Sequence, residues 1–324
     1  MALTGKYIRA IPSKMIQNIN LQLDSATQWD TEALYYEFSS AVAPKLPTIP
    51  CTAFERKLHQ QGATKIIPLD LSQQLQSIAP ATSPIISASF LKIRPQESLK
   101  TNTPATAQLF YVIRGKGQTE SEYGRLKWSK GDLFTLPSCD VAIHAASEDT
   151  AIYWVTDEAL VNYLGVRATK PRFQPCLYQS DRLLAELKQV AQEPGAEKRN
   201  RIGIILGNKK TQLTRSLTHT LWALMVYLPK GAEQKPHRHN SVALDLVIDA
   251  PESAYTLVGK SLDAKGNIVN GERVYWKSGS VFVTPPGLWH SHHNDGDRDA
   301  LLLPIQDAAF QSYMRTLDQR WQGN

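Results

Sequence analysis

An all-β chain of two related barrels, with an N-terminal arm and a few linking helices, is the fold class this sequence predicts. Three observations carry it. Short β-rich runs separated by turn residues begin near Ile85, at Ser87–Ile93, Leu109–Ile113, Asp132–Leu136 and Ile152–Val155. The same texture returns after Thr218, in Leu221–Leu228, Ala243–Ile248, Tyr255–Val258, Val281–Thr284 and Ala300–Pro304. Regular short strands with turns between them describe a sandwich or barrel. The two blocks also align: Lys127–Pro137 (KWSKGDLFTLP) matches Tyr275–Pro285 (YWKSGSVFVTP) at a constant offset of 148 residues. Upstream, Phe110–Ile113 matches Asp245–Ile248 at an offset of 135, so the second block carries 13 extra residues, which fit the hairpin loop 260–271. Such self-similarity is the mark of an internal duplication.

In chain order, residues 1–75 read as an arm laid on the body or on a partner subunit. Within it, Asp30–Glu37 has a capping residue and a first-turn acid, which predicts a short helix, and the proline-rich run Ala43–Pro50 predicts extended chain. Residues 76–165 form the first barrel and 216–307 the second. Between them, 166–215 is a helical linker: Ser180–Ala191 has helical spacing, a Ser or Asp cap, and Pro194-Gly195 beyond its end. Residues 308–324 close the chain, with a helix predicted over Ala308–Trp321.

Composition narrows the function classes. Of 324 residues, 42% are apolar and 20% charged, which excludes a disordered chain, and no apolar run is long enough to cross a bilayer. The longest strongly apolar run, Leu221–Leu228, has the length of a strand. The net charge of +6 is scattered. Its densest cluster, Glu197–Arg201 with Lys209 and Lys210, is short and without interleaved aromatics. It reads as solvated linker, and no nucleic-acid partner is expected. Three cysteines (Cys51, Cys139, Cys176) form no CxxC pair, and no apolar signal core opens the chain, so a reducing cytoplasm is expected.

Five of the eight histidines fall in two segments of the second repeat: His237 and His239, then His290, His292 and His293. In a strand, His237 and His239 point to one face because side chains alternate. Imidazole nitrogens suit iron, zinc, copper or nickel, so this pair with a histidine from a facing strand makes a metal site. Three protein ligands leave coordination positions open, as a catalytic metal requires. An isolated HxH can be a surface loop. An HxH followed 53 residues later by His290 in PPGLWHSHHN, inside a repeated β unit, predicts a metal site. His59 and His219 are expected to be structural, and His293 to face outward because it alternates with His292.

These residues carry a family resemblance. Thr218–Gly231, His237-Arg-His239, Ala254-Tyr-Thr256, Gly271-Glu-Arg273 and Thr284–His292 resemble the bicupin ring-cleaving dioxygenases, the gentisate 1,2-dioxygenase group with its salicylate and hydroxynaphthoate relatives. The strong part runs from Thr218 to Asn294; the duplicated architecture extends it, more weakly, to residues 85–165. The resemblance implies a bicupin fold, two double-stranded β-helix (jelly-roll) barrels in one chain. It implies Fe(II) held by His237, His239 and His290, with manganese, nickel or zinc as the other metals such a site accepts. His292 would act beside the metal as general base or hydrogen-bond donor to reduced dioxygen, and Trp222 would wall the pocket. The substrates would be O2 and a small hydroxylated aromatic or similar chelating molecule. The assembly would be a homo-oligomer, dimer or tetramer.

The sequence departs from the family pattern in two places. Most cupins place a glutamate four residues after the second histidine; here that residue is Ala243, as in the three-histidine dioxygenases. The family then reads threonine, glutamine, serine, alanine, leucine, arginine where this chain has Asn240-Ser-Val-Ala-Leu-Asp245. Asp245 thus replaces the arginine that receives the substrate's carboxylate. It is a candidate to repel an anionic ring acid or to pair with an amine or hydroxyl, the other reading being an ion pair inside the barrel. Arg201 lies near a second family arginine, but the alignment slips by one, and a solvated linker charge is the competing reading. In the first repeat, sequence offsets set Asn102, Pro104 and Ala142 against His237, His239 and His290. Only His144 survives, opposite His292, so the first barrel is expected to be structural. Two rival functions fit the same fold: another cupin metalloenzyme (isomerase, decarboxylase or oxidase), or a non-catalytic bicupin that binds a small ligand or stores metal.

Overall fold

The computed structural model describes residues 31–322. Two eight-stranded units repeat strand for strand. In the first, a sheet ordered Leu133–Pro137, Ala107–Arg114, Thr150–Thr156, Ser87–Ile93 faces a sheet ordered Ser98–Thr101, Ala142–Ala146, Lys116–Ser121, Gly124–Ser129. The second has the same orders: Val281–Thr284, Ala243–Asp249, Ala300–Gln306, Trp222–Leu228, and Glu233–His239, Trp289–Asn294, Ala254–Gly259, Glu272–Tyr275. All pairings among the described residues are antiparallel, as in a jelly roll. The extra residues of the second unit lie where the offsets put them. Residues 260–271 hold a small hairpin, Ser261–Leu262 against Ile268–Val269, where the first unit turns on Glu122-Tyr123.

The arm and linker are parts of these sheets. Lys65–Pro68 and Cys176–Tyr178 flank the larger sheet of the first barrel; Ala53–Phe54 and Ile202–Ile205 flank that of the second. Edge strands left open invite unwanted pairing, so these segments protect both barrels.

Alternation along each strand sorts the core. Ala223, Met225, Leu244, Leu246, Val283 and Ile305 face Phe90, Leu109, Tyr111 and Tyr153 in a cluster between the two large sheets. Leu224, Val226 and Val247 face the other way, into the second barrel, with Trp276 and Phe282. The first barrel is filled by Phe110, Phe134, Trp128 and Trp154, with Phe110 and Phe134 stacked at 4.6 Å. The linker helix spans Ser180–Ala191 as predicted and buries Leu183 and Leu187, one turn apart, in the inter-barrel cluster.

Two helix expectations are corrected. In the arm, Asp30 lies outside the described residues and 33–37 are not helical; the helix is one turn, Phe38–Ala41. The Glu37 carboxylate accepts the backbone N–H groups of Ser39 and Ser40 and so caps this turn from the position before it. At the C-terminus, the helix stops at Met314, because Arg315 turns left-handed (φ 61°). The chain then runs into a strand, Gln319–Trp321, paired to Glu233–His239. No helix among the described residues is long and apolar enough to cross a membrane, and the three cysteines are free.

Candidate metal centre

Strand alternation and register assemble three imidazoles. His237 and His239 share a face of Glu233–His239, and His237 pairs directly with His290 on Trp289–Asn294. One ligand nitrogen from each of His237, His239 and His290 lies within 4.8 Å of the others, and all three rings are buried. It is the only such group of His, Cys, Asp or Glu found among the described residues. Backbone carbonyls fix the tautomers. Nδ1–H of His239 donates to Ser241 at 2.8 Å and that of His290 to Leu288 at 3.1 Å, while His237 Nδ1 lies 3.4 Å from the Lys235 carbonyl. Nε2 is thereby left as the acceptor nitrogen of each ring, the form a metal ligand needs, and that of His237 accepts from Arg201. Burial holds His237 and His290 well below the ordinary histidine range and His239 down at about 4, so all three are neutral at pH 7. The donor set fits a divalent transition metal.

His292 pairs with Gln234 across the sheet, its ring 5.9 Å from His237 and 5.8 Å from His290, but its nitrogens are not among the three that converge within 4.8 Å. Its Nδ1 lies 2.8 Å from Thr256 Oγ1, which accepts Trp276 Nε1–H at 2.9 Å. Tryptophan can only donate, which leaves the threonine's own hydrogen for His292 Nδ1, the other side-chain partner of this hydroxyl among the described residues. The His292 proton then resides on Nε2.

The first barrel keeps this relay. Trp128 Nε1–H donates to Thr119 Oγ1 at 2.9 Å, and Thr119 Oγ1 lies 2.8 Å from His144 Nδ1. There, however, His144 Nε2 ends on Thr101 Oγ1 at 3.0 Å. Register also corrects the sequence offsets. Leu99 pairs with His144 as Gln234 does with His292, and Thr101 pairs with Ala142 as His237 does with His290. A bulge between Gln234 and His237 inserts one residue, so Thr101 rather than Asn102 takes the place of His237.

Arg201 departs furthest from its expected place. It is no solvated linker charge: Nη2 donates to His237 Nε2 at 2.7 Å, and the Gln234 side-chain oxygen accepts from Nε and Nη2. Burial presses its guanidinium down to about 10 against the upward pull of Asp245. It lines a cavity of about 550 Å³ with Trp222, Leu224, Gln306, Gln319 and Trp321. Trp222 thus stands on a cavity wall, its Nε1–H held by the Arg215 carbonyl at 2.9 Å. Asp245 does not line it. Alternation points Asp245 into the barrel, where Thr284 Oγ1 donates to it at 2.6 Å and burial raises its carboxyl to about 7. No ion pair forms there; the Arg201 charge acts on it only at longer range.

The remaining histidines are tied into the framework. His59 bridges the Gly279 carbonyl and Arg114, and His293 stacks on Tyr255 at 4.7 Å on the opposite face from His292. His219 lies before the strand Trp222–Leu228, bonded to Thr106. Sequence reasoning missed Gln234, Gln319 and Trp321. The last two come from a strand hidden in what reads as a helix.

No family model matches the sequence. Its curated relatives include the gentisate 1,2-dioxygenase of Ralstonia sp, 27% identical over 142 residues, and gentisate 1,2 dioxygenase 1 of Aquipseudomonas alcaligenes, 26% identical over 164. Those matches take in 44% and 49% of this chain but 37% and 43% of the relatives, so the chain spans less than half the length of either. A 1-hydroxy-2-naphthoate 1,2-dioxygenase of Nocardioides sp. is 31% identical over 86 residues, 26% of this chain and 19% of its own length. Among solved structures, a salicylate 1,2-dioxygenase from Pseudoaminobacter salicylatoxidans with gentisate superposes on 97% of this chain and 98% of its own, with TM-score 0.69 at 15% identity. An oxalate decarboxylase superposes on 78% of this chain and 76% of its own, with TM-score 0.51 at 17% identity. The chain thus has the two-barrel fold of the salicylate 1,2-dioxygenase structures, and over half its length or less its sequence is similar to gentisate 1,2-dioxygenases.

Proposed function

We propose that this protein is an Fe(II)-dependent dioxygenase that opens a small hydroxylated aromatic ring with O2. The carrying observation is the set of three buried, neutral imidazoles of His237, His239 and His290, with one ligand nitrogen of each within 4.8 Å of the others; a metal there would take His237 Nε2 from the Arg201 guanidinium that it accepts from. Iron bound there would supply open coordination positions and the electrons that activate dioxygen. The chain's own residues do the rest. His237, His239 and His290 arrive already deprotonated, so burial has removed the competing protons. His292, with its proton on Nε2, is a hydrogen-bond donor toward developing negative charge, which favours that role over general base. Arg201 offers the cavity a cation for a substrate carboxylate, in place of the arginine that Asp245 displaced. Trp222 and Trp321 give that cavity flat apolar walls.

An oxygen electrode tests the reading, with salicylates, aminophenols and catechols as substrates. Iron-loaded protein should consume one O2 per ring opened. His292→Ala should keep its iron and lose about 10²- to 10³-fold in turnover, the usual worth of one positioned hydrogen-bond donor to developing charge. Uptake with none of these rings would favour a cupin of other chemistry. Tight binding of a ring without turnover would favour a binding protein. We further place the protein in the cytoplasm as a homo-oligomer, dimer or tetramer; the free cysteines and the exposed apolar side chains of the arm support this.

A further inference from the structure

The strand Gln319–Trp321 has no counterpart in the first barrel, where the sheet facing the inter-barrel sheet stops at four strands. The chain reaches it past Asn240, the residue after His239, which uses all its polar groups on the crossing. Its backbone N–H donates to the Asp318 carbonyl at 3.0 Å, and its Oδ1 accepts the Asp318 N–H at 2.8 Å. Its Nδ2 donates to the Thr316 carbonyl at 2.8 Å, and its own carbonyl accepts from Gln311 Nε2 at 3.2 Å. The related motif has threonine here, a shorter side chain with donor and acceptor on one atom, whereas the asparagine amide separates them and reaches both that carbonyl and that N–H. Beyond the strand, Gln322 N–H bonds the Pro236 carbonyl at 3.0 Å, and Gln322 Nε2 bonds that of Lys265 at 2.9 Å. Lys265 belongs to the other unmatched element, the inserted loop. Three features peculiar to the second barrel (Asn240, the loop and the strand) therefore converge.

What the strand delivers is Trp321. Its ring stacks on His237 at 5.0 Å and 21°, and the Arg201 guanidinium lies 6.0 Å from its centroid. Trp321 and Arg201 line the 550 Å³ cavity, whereas none of the histidines does. Trp321 thus stands between that cavity and the imidazoles. Resting on the metal-site reading above, we propose that the C-terminal strand, clamped by Asn240, is a positioning and selecting wall of that site. Trp321 holds the His237 ring in its coordinating orientation and limits the size of ring that passes from the cavity to the histidines.

The test uses full-length protein loaded with cobalt(II), as parent, Trp321→Ala, Trp321→Phe and Asn240→Ala. Two readouts are taken: the cobalt absorption bands, which report ligand orientation, and dissociation constants for salicylate and 1-hydroxy-2-naphthoate. Trp321→Ala should shift the bands and move the affinity ratio toward the two-ring acid by about three- to tenfold, the worth of one aromatic contact. Trp321→Phe should restore most of both. Asn240→Ala should reproduce the shift with Trp321 still present, which mere loss of ring packing would not do. Parent-like bands and an unchanged ratio in Trp321→Ala would overturn the proposal and leave the metal site standing. A parent-like Asn240→Ala would overturn the clamp. A parent that binds no cobalt would overturn both this wall and the metal-site reading.

Discussion

A carboxyl group shut inside a barrel costs stability when it ionises, and Asp245 is such a group. Its folded form holds a proton up to about pH 7, against about 4 in an unfolded chain. Between those values the folded state binds more protons than the unfolded one, so this residue lowers stability as pH rises, fully above 7. Asp245→Asn keeps an acceptor for Thr284 and removes the titration. It should stabilise the protein most at pH 8, by at most about 4 kcal/mol, and little near pH 4. Urea midpoints of the two chains at pH 5 and pH 8 check this; an equal gain at both would contradict it. The histidines were legible at this scale because alternation is a local rule that places His237 and His239 together. Arg201 was not. Its neighbours, Lys198, Arg199 and Asn200, read as solvated chain, and its partner His237 is brought to it only by the sheet.

At the scale of elements, local signals predicted the linker helix, whose ends and apolar spacing are written in Ser180–Ala191 itself. The C-terminal strand escaped because its stabilising partner is distant. Bonds from Asn240 and pairing with Glu233–His239 outweigh the helical pattern after Met314. The duplicated relay offers a paired prediction. Thr256→Val and Thr119→Val each orphan a buried tryptophan N–H, and each should cost about 1–3 kcal/mol in thermal or urea unfolding. Only Thr256→Val should also slow oxygen uptake, because only its histidine faces the candidate metal centre; equal slowing by both would undo that assignment.

For the whole molecule, the repeat was readable because two β units preserve glycine, proline and tryptophan at one spacing. How the units pack was not, since the inter-barrel cluster draws on alternate residues of many strands. Phe110, Phe134, Trp128 and Trp154 fill the first barrel and its relay closes on Thr101, whereas the second holds the three histidines. The arm leaves Leu34, Tyr35, Tyr36, Phe38, Val42 and Leu46 exposed. We propose that a second copy of the chain covers these side chains. Light scattering should therefore find a smaller assembly when residues 1–46 are removed, and an unchanged subunit number would refute the arm's role.

Most direct is the iron content of the chain after anaerobic reconstitution with Fe(II), measured in the parent and in His237→Ala. One tightly held iron per parent chain, lost in the variant, is the predicted result. Iron absent from the parent, retained by His237→Ala, or bound at two per chain would contradict a single centre built by His237, His239 and His290.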